Sequence, residues 1–317
     1  MSIFLAHNHK MLKSAGRYVG WVLDPRWIRP YTLRFEFSNP AYNPTTEDGW
    51  KTNYDNKPQW NTGITWTKVD GAQTNQWDCT YPYSNWTNLF HGMFEYYDEP
   101  ETEVRIIDGN TTGVTNMSGL FSSCSAIKSC VTLDTSEVTA MDYMFAGCNN
   151  LTEVPMLNTS KVTNMTCMLL YTKISSCPLF DTSRVTTMST MFRECENLVT
   201  IPQFNTSSLQ YTSYMFEGCS SLTSIPRIDT SRVTNAYKMF EGCTALQTVP
   251  FLSTTRMTEV GRMFYGCINV ASGALALYDQ MSRQSTPPSS HSATFYNCGS
   301  NTTHGAAELA QIPSDWK

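Results

Sequence analysis

The 317-residue chain has little charge: Asp, Glu, Lys and Arg make up 15% of it, the net charge is -5, and 41% of residues are hydrophobic. Ser, Thr and Asn supply the polarity that holds mean hydropathy at -0.31. No Lys/Arg-rich block follows residue 29, so the phosphate-neutralising footprint of a nucleic-acid binder is missing. No apolar run approaches the roughly 18 residues of a membrane span, which argues against membrane insertion. The start, MSIFLAHNHKMLKSAGRYVGW, has neither an uninterrupted hydrophobic region nor a small-residue cleavage site. It predicts a chain kept in the cytosol, or exported by a route other than general secretion, with the Asn110, Asn158 and Asn205 triplets unglycosylated.

Catalytic and metal-binding patterns are also scarce. The five histidines, His7, His9, His91, His291 and His304, form no H-E-x-x-H and no zinc spacing with cysteine. No G-x-S-x-G elbow, phosphate-binding loop or dinucleotide fingerprint occurs. Glycoside hydrolysis needs only two carboxylates, but Asp134, Asp181 and Asp229 alternate with Asn158 and Asn205 at one repeat position. Asparagine cannot serve as a general acid. The reading is therefore a non-enzyme with no metal, no cofactor and no catalytic residue.

What is present is a repeat. Met-Phe or a close relative falls at Leu120/Phe121, Met144/Phe145, Met168/Leu169, Met191/Phe192, Met215/Phe216, Met239/Phe240 and Met263/Phe264, every 24 residues but for one interval of 23. Each unit opens with Leu-x-x-Ile/Val-Pro, as at Leu198/Ile201/Pro202, which reads as a short strand closed by a residue that cannot donate to a ladder. Asp/Asn-Thr-Ser follows (Asp134, Asn158, Asp181, Asn205, Asp229), a turn in which the side-chain oxygen takes a nearby backbone N–H. Val-Thr-x-Met then leads into Met-Phe-x-Gly-Cys, where Gly is placed to end a helical turn. No unit can bury its apolar pieces alone, so neighbours must share one core.

Nine of the eleven cysteines fall at inward positions of this pattern: Cys124, Cys148, Cys195, Cys219, Cys243, Cys267 and Cys298 after the aromatic, Cys130 and Cys177 in the strand piece. They read as reduced, small core residues rather than as a disulfide or zinc framework. Cys79 and Cys167 lie outside the pattern, with Cys167 expected at the surface.

The boundaries follow from composition. Seven of the eight tryptophans lie between Trp21 and Trp86. Residues 1–29 carry +4 against -9 on the rest, through Lys10, Lys13 and Arg17 among others, and form a candidate docking segment. Residues 30–108 read as a small β-rich domain and cap, with strands at Tyr31–Ser38 and Thr65–Val69 before an Asp70-Gly71 turn. Within it, Trp50 and Trp60 suit either a sugar platform or simple packing. The acidic run Glu95, Asp98, Glu99, Glu101 and Glu103 reads as a solvated turn rather than a calcium loop. Residues 109–270 are the repeat array. Residues 271–317 are an irregular C-terminal cap, with loops or a short helix at Gly273 to Arg283 and a last strand piece at Leu309/Ile312/Pro313.

The units Leu222 to Cys243 (LTSIPRIDTSRVTNAYKMFEGC) and Met144 to Pro155 (MFAGCNNLTEVP) resemble the leucine-rich-repeat-like, BspA-like repeats of bacterial surface proteins over about residues 104–270. The resemblance implies a repeat solenoid: a leucine-rich-repeat-like, right-handed stack of short strands and short helical turns, here with a β-rich N-terminal domain. It also implies adhesion. The front half (YTLRFEFS, WTKVDG, NQWDCTY) is similar to virion proteins of tailed bacteriophages. Two departures are notable: no secretion signal is evident, and Met168-Leu169-Leu170-Tyr171 breaks the aromatic-cysteine pattern. The resulting expectation is a virion fibre or decoration protein, made in the host cytoplasm. Its N-terminal segment would dock on other virion proteins while the array binds a host-surface glycan or protein; the alternatives are a bacterial cell-surface adhesin and a polysaccharide depolymerase. Strand alternation places Glu153, Thr200, Ser224 and Thr248 on one exposed stripe as candidate ligand contacts. Assembly into a homo-oligomer stays open.

Overall fold

A computed structural model of the chain describes residues 9–14, 17–23, 31–41, 43–44, 64–92 and 103–317, with the backbone alone for the first two segments. Strands β1 (His9–Ser14) and β2 (Arg17–Leu23) pair antiparallel, with Ser14 opposite Arg17. Lys10 and Lys13 therefore lie on β1, and Arg17 opens β2.

Strand β3 (Tyr31–Phe37) alternates as its sequence does, burying Leu33, Phe35 and Phe37. It pairs with β5 (Asn75–Tyr81), which pairs with β4 (Thr65–Lys68) through the expected turn, where Gly71 takes φ 74°. On its other edge β3 meets β6 (Val104–Asn110), and β6 pairs with β7 (Ile127–Cys130), giving the order β4-β5-β3-β6-β7. Every pairing is antiparallel except β6 with β7. β6 thus joins the antiparallel sheet to the first repeat and runs through residue 109. A Cβ on Gly109 would come within 2.6 Å of Leu33 and 3.1 Å of the Thr32 carbonyl, so the close approach of β6 to β3 requires glycine.

This architecture corrects the expected leucine-rich-repeat-like α/β solenoid. The regular structure among the described residues is a mixed five-stranded sheet, a two-stranded hairpin and two α-helices. The repeats contribute one strand, β7, and no helix. The Leu-x-x-Ile/Val-Pro pieces do not build a ladder. They are joined by isolated bonds such as Thr223 N–H to Val199 O (3.1 Å) and Gln247 N–H to Thr223 O (3.2 Å).

Nor does Met-x-x-Met-Phe-x-Gly-Cys turn helically. Within it alternate N–H groups bond three residues back, as from Leu120 to Met117, Ser122 to Gly119 and Cys124 to Phe121. The intervening N–H groups of Met117, Gly119, Phe121 and Ser123 instead donate to Ala140, Asp142, Met144 and Ala146 of the next repeat at 2.6–3.0 Å. Left-handed residues produce this alternation. One column precedes the Met-Phe pair (Tyr143, Cys167, Thr190, Tyr214, Lys238, Arg262, φ 56° to 62°), and another follows it (Gly147, Tyr171, Glu194, Gly218, Gly242). Left-handed backbone cannot continue an α-helix, so the segment becomes a series of turns with half its donors aimed at its neighbour.

Single parallel bridges connect Asn85, Asn116, Ala140, Asn164, Thr187, Tyr211, Asn235, Glu259 and Ser290 in succession, so the repeats lie in register. The turns behave as their sequence suggests: Oδ1 of Asp134, Asn158, Asp181, Asn205 and Asp229 accepts the N–H of the serine two residues on. The buried threonine between them reaches the next repeat, with Thr135 Oγ1 donating to Asn158 O (2.9 Å) and Thr159 to Asp181 O (2.8 Å).

Phenylalanine rings form a column at the centre. Neighbours from Phe192 through Phe216, Phe240 and Phe264 to Phe295 sit 5.0–6.1 Å apart and nearly parallel. Phe35 meets the N-terminal end at Phe90, and Trp316 covers Phe295. Leu169 interrupts the column but is fully buried. Its copy also has Thr172 in place of cysteine, hydrogen-bonded to Leu169 O and to the Cys195 thiol. The expected short helix is present as α1 (Ala274–Ser282). The last strand piece is instead helical: Leu309 lies in α2 (Thr303–Gln311), whose Glu308 carboxylate accepts the Gly273 and Leu275 N–H groups and so caps α1.

Phe216→Ala, which opens the ring column at its middle, is expected to cost about 3–5 kcal/mol in urea unfolding. Ala293→Gly relieves a left-handed alanine (φ 55°) and is expected to add about 1 kcal/mol.

Candidate functional site

The predicted stripe exists as a surface: Glu153, Thr200, Ser224 and Thr248 are all exposed, one repeat position apart except where Ser176 intervenes. Thr248 bridges Ser272, and the Thr200 hydroxyl lies 3.4 Å from the Ile201 carbonyl. The structure brings the four to equivalent positions on in-register repeats, each just before a more buried Ile or Val. It adds Ser176 before Cys177, which alternation from the same pattern would also have found.

The other surface candidates divide. Trp50, Trp60, Glu95, Asp98, Glu99 and Glu101 lie outside the described residues. Glu103 is engaged by Lys128 and Arg105, and the Lys128 ammonium holds its carboxyl below the usual range. Beside it, a cleft of about 500 Å3 opens between Glu36, Lys68, Thr74 and Arg105, where Glu36 accepts from Thr74 and Gln76. Lys10, Lys13 and Arg17 are placed only as members of the β1–β2 pair.

The turn carboxylates are acceptors. Hydrogen bonds from the Ser183 and Ser231 side chains and N–H groups hold Asp181 and Asp229 below their ordinary range, so both are ionised at neutral pH. No group of His, Cys, Asp or Glu among the described residues is arranged to hold a metal ion. No described helix is long and apolar enough to cross a membrane.

All eleven cysteines are free. Those after the aromatic are more than apolar filler, because six of the seven thiols donate to a carbonyl of the preceding copy, among them Cys148 to Phe121 (3.1 Å), Cys219 to Phe192 (3.0 Å), Cys243 to Phe216 (3.1 Å) and Cys267 to Phe240 (3.0 Å). Burial raises Cys195 to about 11 and Cys298 to about 12. Cys167 is the correction here. Expected at the surface, it is only 6% exposed, because it occupies the left-handed column between Tyr143 and Thr190 and is hydrogen-bonded to both.

The wall flanking the Met-Phe pair escaped the sequence reading. Toward the C-terminus it carries Arg193, Glu217, Glu241, Tyr265 and Tyr296 at the position of Ser122, Ala146 and Leu170 in the earlier repeats, Tyr237 at that of Ser118, Asp142 and Thr166, and Tyr214, Lys238 and Arg262 at that of Gly119, Tyr143 and Cys167. Arg193 pairs with Glu217 (2.5 Å), Lys238 lies 3.5 Å from both Glu217 and Glu241, and Arg262 grips Glu241 at 2.9 and 2.5 Å. The Glu241 pair raises the Arg262 pKa further. Its sequence signal was the gathering of aromatic and charged residues in three repeat columns toward the C-terminus.

A family described as Mycoplasma protein of unknown function, DUF285, matches residues 87–178 and 172–275, more than half of the chain. The chain belongs to this family. The first family segment begins beside Trp86, whose N–H already bonds the first repeat at Asn116 O. The two segments overlap at Thr172 to Pro178, the copy that lacks both phenylalanine and cysteine at their repeat positions. No curated protein and no solved structure matches the chain.

A thiol whose pKa is raised by folding adds stability that is fully present below its unfolded value and is lost as pH climbs toward the folded value. With Cys195 near 11, Cys298 near 12 and Cys219, Cys243 and Cys267 also raised, the urea midpoint is expected to fall steadily from about pH 9 upward. A flat midpoint from pH 8 to about pH 11 would contradict the buried, protonated thiol column.

Proposed function

We propose that the chain is a non-enzymatic bacteriophage virion protein, a fibre or decoration component, whose repeats bind a host-surface glycan or protein. The supporting observation is the in-register array itself. Its interior is packed to the centre of each repeat, while its exposed columns vary freely, which gives a rigid scaffold carrying a long polar surface. The resemblance of the front half to phage virion proteins supports the particle location, and the basic β1–β2 segment is the proposed dock on other virion proteins. The turn carboxylates, ionised and committed to serine N–H groups, are poor general acids, which favours binding over hydrolysis.

A second reading, a bacterial cell-surface adhesin of BspA-like type, is favoured by the family description, which names a Mycoplasma protein. Antibody labelling of purified particles against labelling of intact cells separates the two.

The virion reading expects that deleting residues 1–29 leaves the repeats folded but abolishes incorporation into particles; undiminished incorporation would remove the docking role. Purified chain is expected to bind host cells. Replacing Glu153, Thr200, Ser224 and Thr248 together by alanine tests whether their stripe is the contact, through the change in cell-bound fraction.

A further inference from the structure

We propose that the tyrosine wall of the C-terminal repeats, from Arg193 to Tyr296, is a binding site for an uncharged polysaccharide lying along the array. The inference rests on the adhesin reading and assigns the contact to a wall other than the Glu153–Thr248 stripe.

Placement is the first argument. Of the eight tyrosines beyond residue 109, six (Tyr143, Tyr171, Tyr214, Tyr237, Tyr265 and Tyr296) flank the Met-Phe pair. The fold does not demand tyrosine at 237, 265 or 296, because Ser118 and Thr166 fill the first of these positions, and Ser122 and Ala146 the other two, in earlier repeats without change to the backbone bonds between repeats. Tyr296 remains 42% exposed at the far end of the wall, and Tyr171, in the repeat before it, is 46% exposed.

The second argument is order. Tyr265 and Tyr296 stack at 4.7 Å and 14°, and the Arg262 guanidinium lies 4.1 Å over Tyr265. Tyr214 and Tyr237 meet edge to face at 5.4 Å, with Lys238 5.5 and 5.7 Å over them. Rings held this way lose little freedom on binding. Tyr296, the exposed member, offers apolar surface to the C–H faces of sugar rings, while the half-buried Tyr214, Tyr237 and Tyr265 offer edges with phenol groups at their rims.

Charge selects the ligand class. Arg193, Lys238 and Arg262 are matched by Glu217 and Glu241 in one continuous run of ion pairs, with Glu194 alongside. Three cations against three carboxylates leave no net field to attract an acidic polymer or nucleic acid. The same groups present fixed donors and acceptors, which is what hydroxyl-rich neutral chains need. Because the columns repeat once per 24 residues along one axis, the site is linear and suits a polymer better than a single sugar.

The test uses the full chain in affinity electrophoresis through gels containing dextran, laminarin, mannan, alginate or hyaluronate, beside binding to host cells. At least one neutral polymer is expected to retard the protein, with no loss on raising salt. Tyr265→Ala and Tyr296→Ala are expected to weaken retardation about tenfold, while Tyr265→Phe and Tyr296→Phe retain it and all four keep the wild-type melting temperature. Retardation by no neutral polymer, by acidic polymers alone, or equally in the alanine variants would overturn the proposal. So would cell binding that protease treatment of the cells abolishes. Cell binding that ignores the tyrosines would sink the wall and leave the adhesin reading standing. Tyrosine-dependent retardation without cell binding would do the reverse.

Discussion

Half of the backbone donors between each repeat methionine and its cysteine leave their own turn and bond the next repeat, and most of the molecule depends on that division. It requires a left-handed residue before the Met-Phe pair and another after it. Among the described residues twelve left-handed positions are not glycine, so each carries a local cost that packing and bonds to its neighbours must offset. The offset is collective. Bonds between repeats, threonine hydroxyls reaching the next carbonyl, and thiols reaching the previous one all run along the same axis.

This arrangement separates interior from surface. The ring column, the methionines beside it and the thiols are buried almost completely, so their chemistry is fixed by packing. The columns flanking the Met-Phe pair are less restricted in residue type, although Ser122, Ala146 and Glu217 among them are also buried. Along one of them the residues drift from Ser122 and Ala146 to Arg193, Glu217, Glu241, Tyr265 and Tyr296, and the scaffold bond pattern does not change. The two ends of the ring column are closed by Phe35 and Trp316.

Periodicity, the inward residues, the Asp/Asn turns, strands β3 and β4 and the Asp70-Gly71 turn were legible in the residues, because each is set by spacing or local hydrogen bonding, whereas loops and a helix suited the α1 segment equally. The conformation of Met-Phe-x-Gly-Cys was not. Its Phe and Cys three apart suit a helical turn as well as they suit a bonded turn, and only the adjacent repeat, by accepting alternate N–H groups, decides between them. Cys167 was misplaced for a related reason: a residue ahead of the Met-Phe pair looks outward on a helix but is held between Tyr143 and Thr190 here. The exposure of Glu153, Thr200, Ser224 and Thr248 was legible because alternation is local. The tyrosine and ion-pair wall was missed because Arg193, Glu217, Lys238, Glu241 and Arg262 are 21 to 24 residues from most of their partners.

By itself the sequence determined the repeat length, the order of repeats and which side chains face inward, since apolar residues at a fixed interval can be buried only by neighbours with the same interval. Tertiary structure alone decided that the repeats are turns rather than strands and helices, that the thiols are donors, and that charges remote in sequence form one paired run. Those outcomes depend on groups from two repeats meeting, and a single chain segment carries no record of what its neighbour will offer.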